Sequence, residues 1–210
     1  MGRPWERFEL TQSHDVETWV QDPSRITSIQ PNLRHFLDLI GEKSVPDRPP
    51  SVLDVGCFAG YLLDYLRRER PGLRLAYTGV DVQPAAMRGA AQLHAGDPEA
   101  TFRLAGVFNL AESFPAASFD FVFCARVLIH LPFFERAMEQ LASAARVAAV
   151  VVLHLGETSW CRKILETGTQ SVYFFRSIAE EQVRSTADRL GVGCRILKDE
   201  PYSTVILTRD

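Results

Sequence analysis

The chain has 210 residues, 46% of them apolar and 23% charged, which suffices to bury the core of one domain and excludes a disordered polypeptide. Its formal net charge of -3 supplies no field that would draw it to nucleic acid or anionic lipid, and no run approaches the roughly 18 apolar residues of a membrane span. Cys57, Cys124, Cys161 and Cys194 lie far apart without a C-x-x-C pair, so neither a zinc site nor a disulfide framework is expected.

The opening MGRPWERFEL lacks the apolar core of a secretory leader, and Glu6 stands where a myristoylation signal needs Ser or Thr, so a cytoplasmic setting is expected. Residues 1–50 carry helix-like patches around 14–20 and 32–40 and end in the linker VPDRPP; we read them as an N-terminal helical cap on a core of residues 51–210. From Ser51, apolar runs alternate with amphipathic stretches, as in β-α units around a mostly parallel sheet. Strands are expected near 51–55, 75–80, 101–105, 119–124, 147–154, 194–199 and 203–208. A first helix runs from about Gly60 to Arg70; Arg67, Arg68 and Arg70, interrupted by Glu69, read as its solvated face. A second opens near Pro84, a third places Phe134, Ala137, Met138, Leu141 and Ala145 on one stripe, and a fourth starts at a Ser177/Glu180 capping box and stops at Gly191. Only EPYS separates the last two strands, too short for a parallel crossover, so they form an antiparallel hairpin.

In an open α/β sheet ligands bind outside the carboxyl ends of the strands. The first such loop holds Asp54, Gly56, Cys57, Phe58 and Gly60. A dinucleotide fingerprint needs glycine where Phe58 stands, and Asp54 would repel a diphosphate. The same acid favours an ammonium or orders the turn. Asp81 ends the next strand, about 20 residues past Gly60, where a carboxylate accepts from ribose hydroxyls. Taken singly, Asp54 reads equally as a turn former and Asp81 as a helix cap; their joint spacing favours one ligand carrying both a ribose and a positive charge.

LDVGCFAG at 53–60, GVDV at 79–82 and SFDFVFCARVLIHLP at 118–132 together resemble the class I S-adenosylmethionine-dependent methyltransferases of small molecules, over about residues 45–210. The resemblance implies a Rossmann-like α/β fold: a mostly parallel seven-stranded sheet, helices on both faces and a C-terminal antiparallel hairpin. It implies S-adenosylmethionine as donor and S-adenosylhomocysteine as product. Gly56 and Cys57 would lie against the methionine part, Asp81 would bind the ribose, Val82 would pack on the adenine, and Cys124 and Ala125 would offer backbone groups. The family's acid after strand three is replaced in AGVFNLAE by Val107 and Phe108, which leaves Asn109, or stacking and backbone contacts, for the adenine.

Methyl transfer needs alignment and exclusion of water, and a base only where the acceptor must lose a proton. His130 after strand four and His154 at the end of strand five are the candidate bases, each with a packing role as the alternative. Arg126 is compatible with an acidic acceptor or with a surface carboxylate. No carboxylate cluster favours a metal. The [DN]-P-P-[YF] and Pro-Cys motifs of nucleic-acid methyltransferases are replaced by CARV and Phe123-Cys124, so the expected acceptor is a small molecule, methylated on O or N. Segments 1–30 and 157–175, with Trp5, Phe8, Trp19, Trp160, Tyr173, Phe174 and Phe175, are expected to close over the donor, with Phe36 also in the cap. The competing functions are a non-catalytic module that binds the donor or its product, and a nicotinamide-dependent oxidoreductase, which Phe58 opposes.

Overall fold

The computed structural model describes residues 28–45, 47–166 and 171–209. In chain order its strands are β1 (Ser51–Val55), β2 (Ala76–Asp81), β3 (Ala100–Leu104), β4 (Phe119–Ala125), β5 (Ala145–Leu153), β6 (Leu155–Gly156), β7 (Trp160–Glu166), β8 (Ser171–Ala179), β9 (Gly193–Leu197) and β10 (Ser203–Thr208). The helices are α1 (Gln30–Lys43), α2 (Tyr61–Glu69), α3 (Pro84–Leu93), α4 (Leu110–Ser113), α5 (Phe134–Ala144) and α6 (Glu180–Leu190). The apolar runs read from the sequence form one seven-stranded sheet in the order β3-β2-β1-β4-β5-β10-β9. β1 to β5 are parallel, and β10 runs antiparallel to both β5 and β9.

Strand periodicity divides the core between the two faces of the sheet. Val52, Phe121, Phe123, Val150 and Val152 share one cluster with α1 and α2, whereas Leu53, Val55, Val122, Cys124, Val151 and Leu153 share another with α5 and α6. β4 is covered on both faces, which explains its apolar run from Phe121 to Ala125. Pro84 occupies the first turn of α3, and Gly191 ends α6 in the left-handed conformation at φ 64°.

Four expectations are corrected. Ser177 caps no helix: the ladders of β8 extend to Ala179, whose N–H donates to Ser159 Oγ at 2.8 Å, and α6 starts one residue later. Glu180 pairs instead with Arg184 and Lys198. Ala145 opens β5 rather than extending the α5 stripe. Phe36 faces no ligand; it is fully buried with its ring 4.8 Å from that of Phe123, because the apolar side of α1 lies on the sheet. Segment 157–175, in which no strand is expected from the sequence, contributes to β7 and β8, and β6, β8 and β7 form a second, three-stranded sheet. The patch at 14–20 and Trp5, Phe8 and Trp19 lie outside the described residues, as does the side chain of Tyr173. Among the described residues no helix is long and apolar enough to cross a membrane.

The edge opposite the strands' carboxyl ends is fastened by Asp120. Its buried carboxylate accepts from Arg48 at 2.6 and 2.5 Å, from Arg146 at 2.7 Å, and from the Ser51 N–H and hydroxyl at 2.9 and 3.0 Å. Burial alone would raise its pKa, but the Arg48 and Ser51 hydrogen bonds and the Arg48 charge outweigh that and hold it well below the usual carboxylate range. Such a group stabilises the fold above its unfolded pKa and loses that contribution as pH falls toward its folded one. Asp120→Asn is expected to lower the unfolding free energy by about 2 kcal/mol at pH 7. Urea denaturation should show the difference from wild type shrinking below about pH 4; a difference constant with pH would contradict it.

Candidate functional site

The strand order reverses between β1 and β4, both neighbours in the sheet, which makes the carboxyl edge there the switch point where α/β sheets open a crevice. The turn after β1 is fixed to the end of β2. Gly56 and Cys57 N–H donate to the Val80 carbonyl at 2.8 and 3.0 Å, and Phe58 N–H donates to Asp81 Oδ2 at 3.1 Å. Phe58 itself is left-handed at φ 50°, with its ring 6.1 Å from that of Tyr61. Gly56 and Gly60 are left-handed too; a Cβ at Gly56 would collide with Val127, and one at Gly60 would lie 2.7 Å from His94 Nε2. His94 supports the turn from behind, its Nε2–H donating to the Ala59 carbonyl at 3.1 Å.

Both acids converge here. Asp54 and Gly79 are register partners, so Asp54, Tyr77 and Asp81 share one face of the sheet. Tyr77 donates its hydroxyl to Asp54 Oδ2 at 2.6 Å, and no cation among the described residues pairs with this acid. Burial pushes Asp54 up to about 7; the Tyr77 hydrogen bond opposes the rise and the Asp81 charge adds to it. Asp81 is also raised by burial, against backbone N–H groups of Gln83, Phe58 and Val82 that favour its ionised form. Burial, with Asp54 and Asp81 close by, pushes the Cys57 thiol well up, which removes it as a thiolate nucleophile. Val82 follows β2, half-buried.

The loop after β3 starts beside Asp81, whose carbonyl accepts from Ala105 N–H at 3.1 Å. It holds Phe108, buried with its ring edge-on to Phe133 at 6.2 Å, and Asn109, whose Oδ1 is buried with no hydrogen-bond donor. In β4 the side chain of Cys124 lies in the α5 face of the core, and both Cys124 and Ala125 extend past the register with β1, which ends at Phe123.

His130 and His154 approach one ring. His130 Nδ1–H donates to the Phe174 carbonyl at 2.7 Å, which leaves the lone pair of its neutral ring on Nε2. His154 Nδ1 is buried with no partner. Both imidazoles stand edge-on to Phe175, at 6.4 and 5.3 Å, and His154 also meets Trp160 at 6.0 Å. Arg176 fastens β8 to the loop after β4 by donating to the Leu131 and Pro132 carbonyls at 3.1 and 2.6 Å. Sequence reasoning passed over Tyr77, His94 and Arg176. The alternation of β2 puts Tyr77 on the Asp54 side, so that one was within reach; the other two depend on contacts between distant segments. No group of three or more potential metal ligands occurs among the described residues.

A carboxyl raised on folding stabilises the folded state below its unfolded pKa and loses that contribution as pH rises through the folded value. Asp54 therefore makes the protein progressively less stable as pH rises from about 4 to about 7, and the loss persists above that. Asp54→Asn keeps an oxygen for Tyr77 and removes the ionisation. Between pH 5 and 8 the wild type should lose on the order of 2 kcal/mol more than this variant in urea melts. Parallel profiles would rule the buried ionisation out.

A profile for the methyltransferase domain matches residues 27–186. The ubiquinone biosynthesis O-methyltransferase of Paracidovorax citrulli is 42% identical over 84 residues, which cover 39% of this chain and 33% of that one. A Mycobacterium tuberculosis protein named as a methyltransferase is 33% identical over 111 residues, 47% of this chain and 59% of that one. The chain thus spans between a third and three fifths of the length of these curated relatives. The structure of the DhpI–SAH complex superimposes with a TM-score of 0.70 at 18% identity, covering 100% of this chain and 98% of the other, a likeness of fold. With that profile matched over well more than half of the chain, the chain belongs to the methyltransferase-domain family, and its sheet order is that of the superimposed structure's fold.

Proposed function

We propose that this chain transfers a methyl group from S-adenosylmethionine to an oxygen or nitrogen of a small molecule, releasing S-adenosylhomocysteine. The observation that carries the reading is the convergence of Asp54, the Gly56–Gly60 turn and Asp81 on one face at the switch point. The unpartnered Asn109 Oδ1 fits the same ligand, since an adenine amino group is the kind of donor it lacks. Asp81, held by backbone N–H groups, keeps acceptor capacity for ribose hydroxyls. Val82 packs on the base, Gly56 and Cys57 line the methionine portion, and the backbone of Cys124 and Ala125 closes the crevice from β4. Asp54, buried and without a cation, balances the donor's positive charge from below. Phe58 and Phe108 bound the site as apolar walls.

The donor supplies an electrophilic methyl carbon on a sulfonium, and the sulfur keeps the electron pair of the broken bond when the acceptor's lone pair forms the new one. The chain's task is to align the acceptor and exclude water. The small sheet does both as a cover, fastened by Arg176 and His130 to the loop after β4. His130, with its lone pair on Nε2, and His154, with Nδ1 unpartnered, are the groups able to take a proton from a hydroxyl acceptor. No metal is required in this scheme.

Calorimetric titration of S-adenosylhomocysteine into wild type and Asp81→Ala should show a loss of about 1.5 to 3 kcal/mol in the variant. An unchanged affinity would remove the ribose role. With a mixed panel of phenolic and amine acceptors, wild type should form S-adenosylhomocysteine. Replacing the base, as His130→Phe or His154→Phe, should cut kcat for phenols by about 10² while donor KM holds; if neither changes kcat, no histidine base operates.

A further inference from the structure

Arg126 stands directly after β4 in the left-handed region, at φ 59°. For a long side chain that conformation is strained and persists only where the surroundings impose it. The bend joins two places. Arg126 N–H donates to the Val152 carbonyl at 3.1 Å, next to the end of β5 and two residues short of His154, while the following residue, Val127, lies against Gly56. The backbone of Arg126 is thus tied to β5 just short of His154 and leads directly into the residue that packs on the turn assigned to the donor.

Its charge has no counterpart. The half-buried guanidinium lies 5.8 Å over the ring of Tyr202, and no carboxylate among the described residues pairs with it. Tyr202 is a fixed platform, its carbonyl accepting from Asn32 Nδ2 at 3.0 Å. Along this edge carboxylates stand at the ends of β1 and β2, and Arg126 follows β4. A cation beside a sulfonium site opposes the donor by Coulomb repulsion, which Asp54 and Asp81 offset and negative charge on a second ligand would offset further.

We propose that Arg126 binds an oxyanion carried by the methyl acceptor, a carboxylate or a phosphoryl group, so that the acceptor is an anionic small molecule whose apolar body rests on Trp160 and Phe175. The assignment rests on the methyltransferase reading above. Planar guanidinium geometry suits either oxyanion through paired N–H donors, and the Tyr202 ring limits the directions in which the side chain presents them.

The test uses the full chain saturated with S-adenosylhomocysteine and titrated, by ligand-observed NMR, with benzoate, phenylphosphonate and neutral benzamide. Wild type should bind at least one anion tenfold or more tightly than benzamide, and the stronger of the two identifies the oxyanion. Arg126→Gln should lose that preference with its S-adenosylhomocysteine affinity kept within twofold, and Arg126→Lys should recover part of it. Equal binding of all three probes, no anion binding to the loaded wild type, or an intact preference in Arg126→Gln would each overturn the inference alone. Failure of wild type to bind S-adenosylhomocysteine would remove the methyltransferase reading and this inference with it.

Discussion

The end of β2 holds the turn after β1, and the remainder of the site is arranged around that attachment. Two backbone donors go to one carbonyl, Val80, and a third goes to the carboxylate that follows it. Because Phe58 is left-handed, nothing in its own conformational preference would keep it there; the bond to Asp81 does. One acid at the end of a strand therefore fixes the shape of a neighbouring loop. His94 completes the support from the far side, which ties α3 to the start of α2 through the Ala59 carbonyl.

Two aspartates in this sheet show how burial has opposite consequences at its two edges. Asp120 is enclosed by two arginines and a serine, stays ionised and fastens strands. Asp54 meets a tyrosine hydroxyl and a second carboxylate, so its ionisation is opposed. A buried charge lacking its counterion is an unfavourable arrangement for a structural residue and a suitable one for a residue that receives a cation. The fold keeps the compensated acid at the edge away from the crevice and the uncompensated one beside it.

The seven-stranded sheet was legible in the sequence because its signal is local: each strand carries a short apolar run between turn residues, and burial on both faces makes β4 continuous from Phe121 and β5 from Val147. The Asp54–Gly60 and Asp81 spacing was legible for the same reason, each acid lying at the end of such a run. What escaped depends on partners far along the chain. Ser177 and Glu180 match a capping pattern over four positions, but pairing with β7 and β6 decides that the chain is still extended there. The amphipathic stripe around Phe36 shows that one side of α1 is buried without showing against what, and the sheet rather than a ligand supplied the answer. The Arg48–Asp120–Arg146 group joins three segments that no sequence window contains together.

β6, β7 and β8 pair only with one another, outside the ladders of the main sheet. They hang between the last residues of β5 and the start of α6, and meet the loop after β4 through hydrogen bonds to its carbonyls and from His130. Lengthening, trimming or exchanging this appendage leaves every register of the larger sheet intact. Insertion or deletion at this one location can therefore occur without a new ladder partner for any strand of the larger sheet.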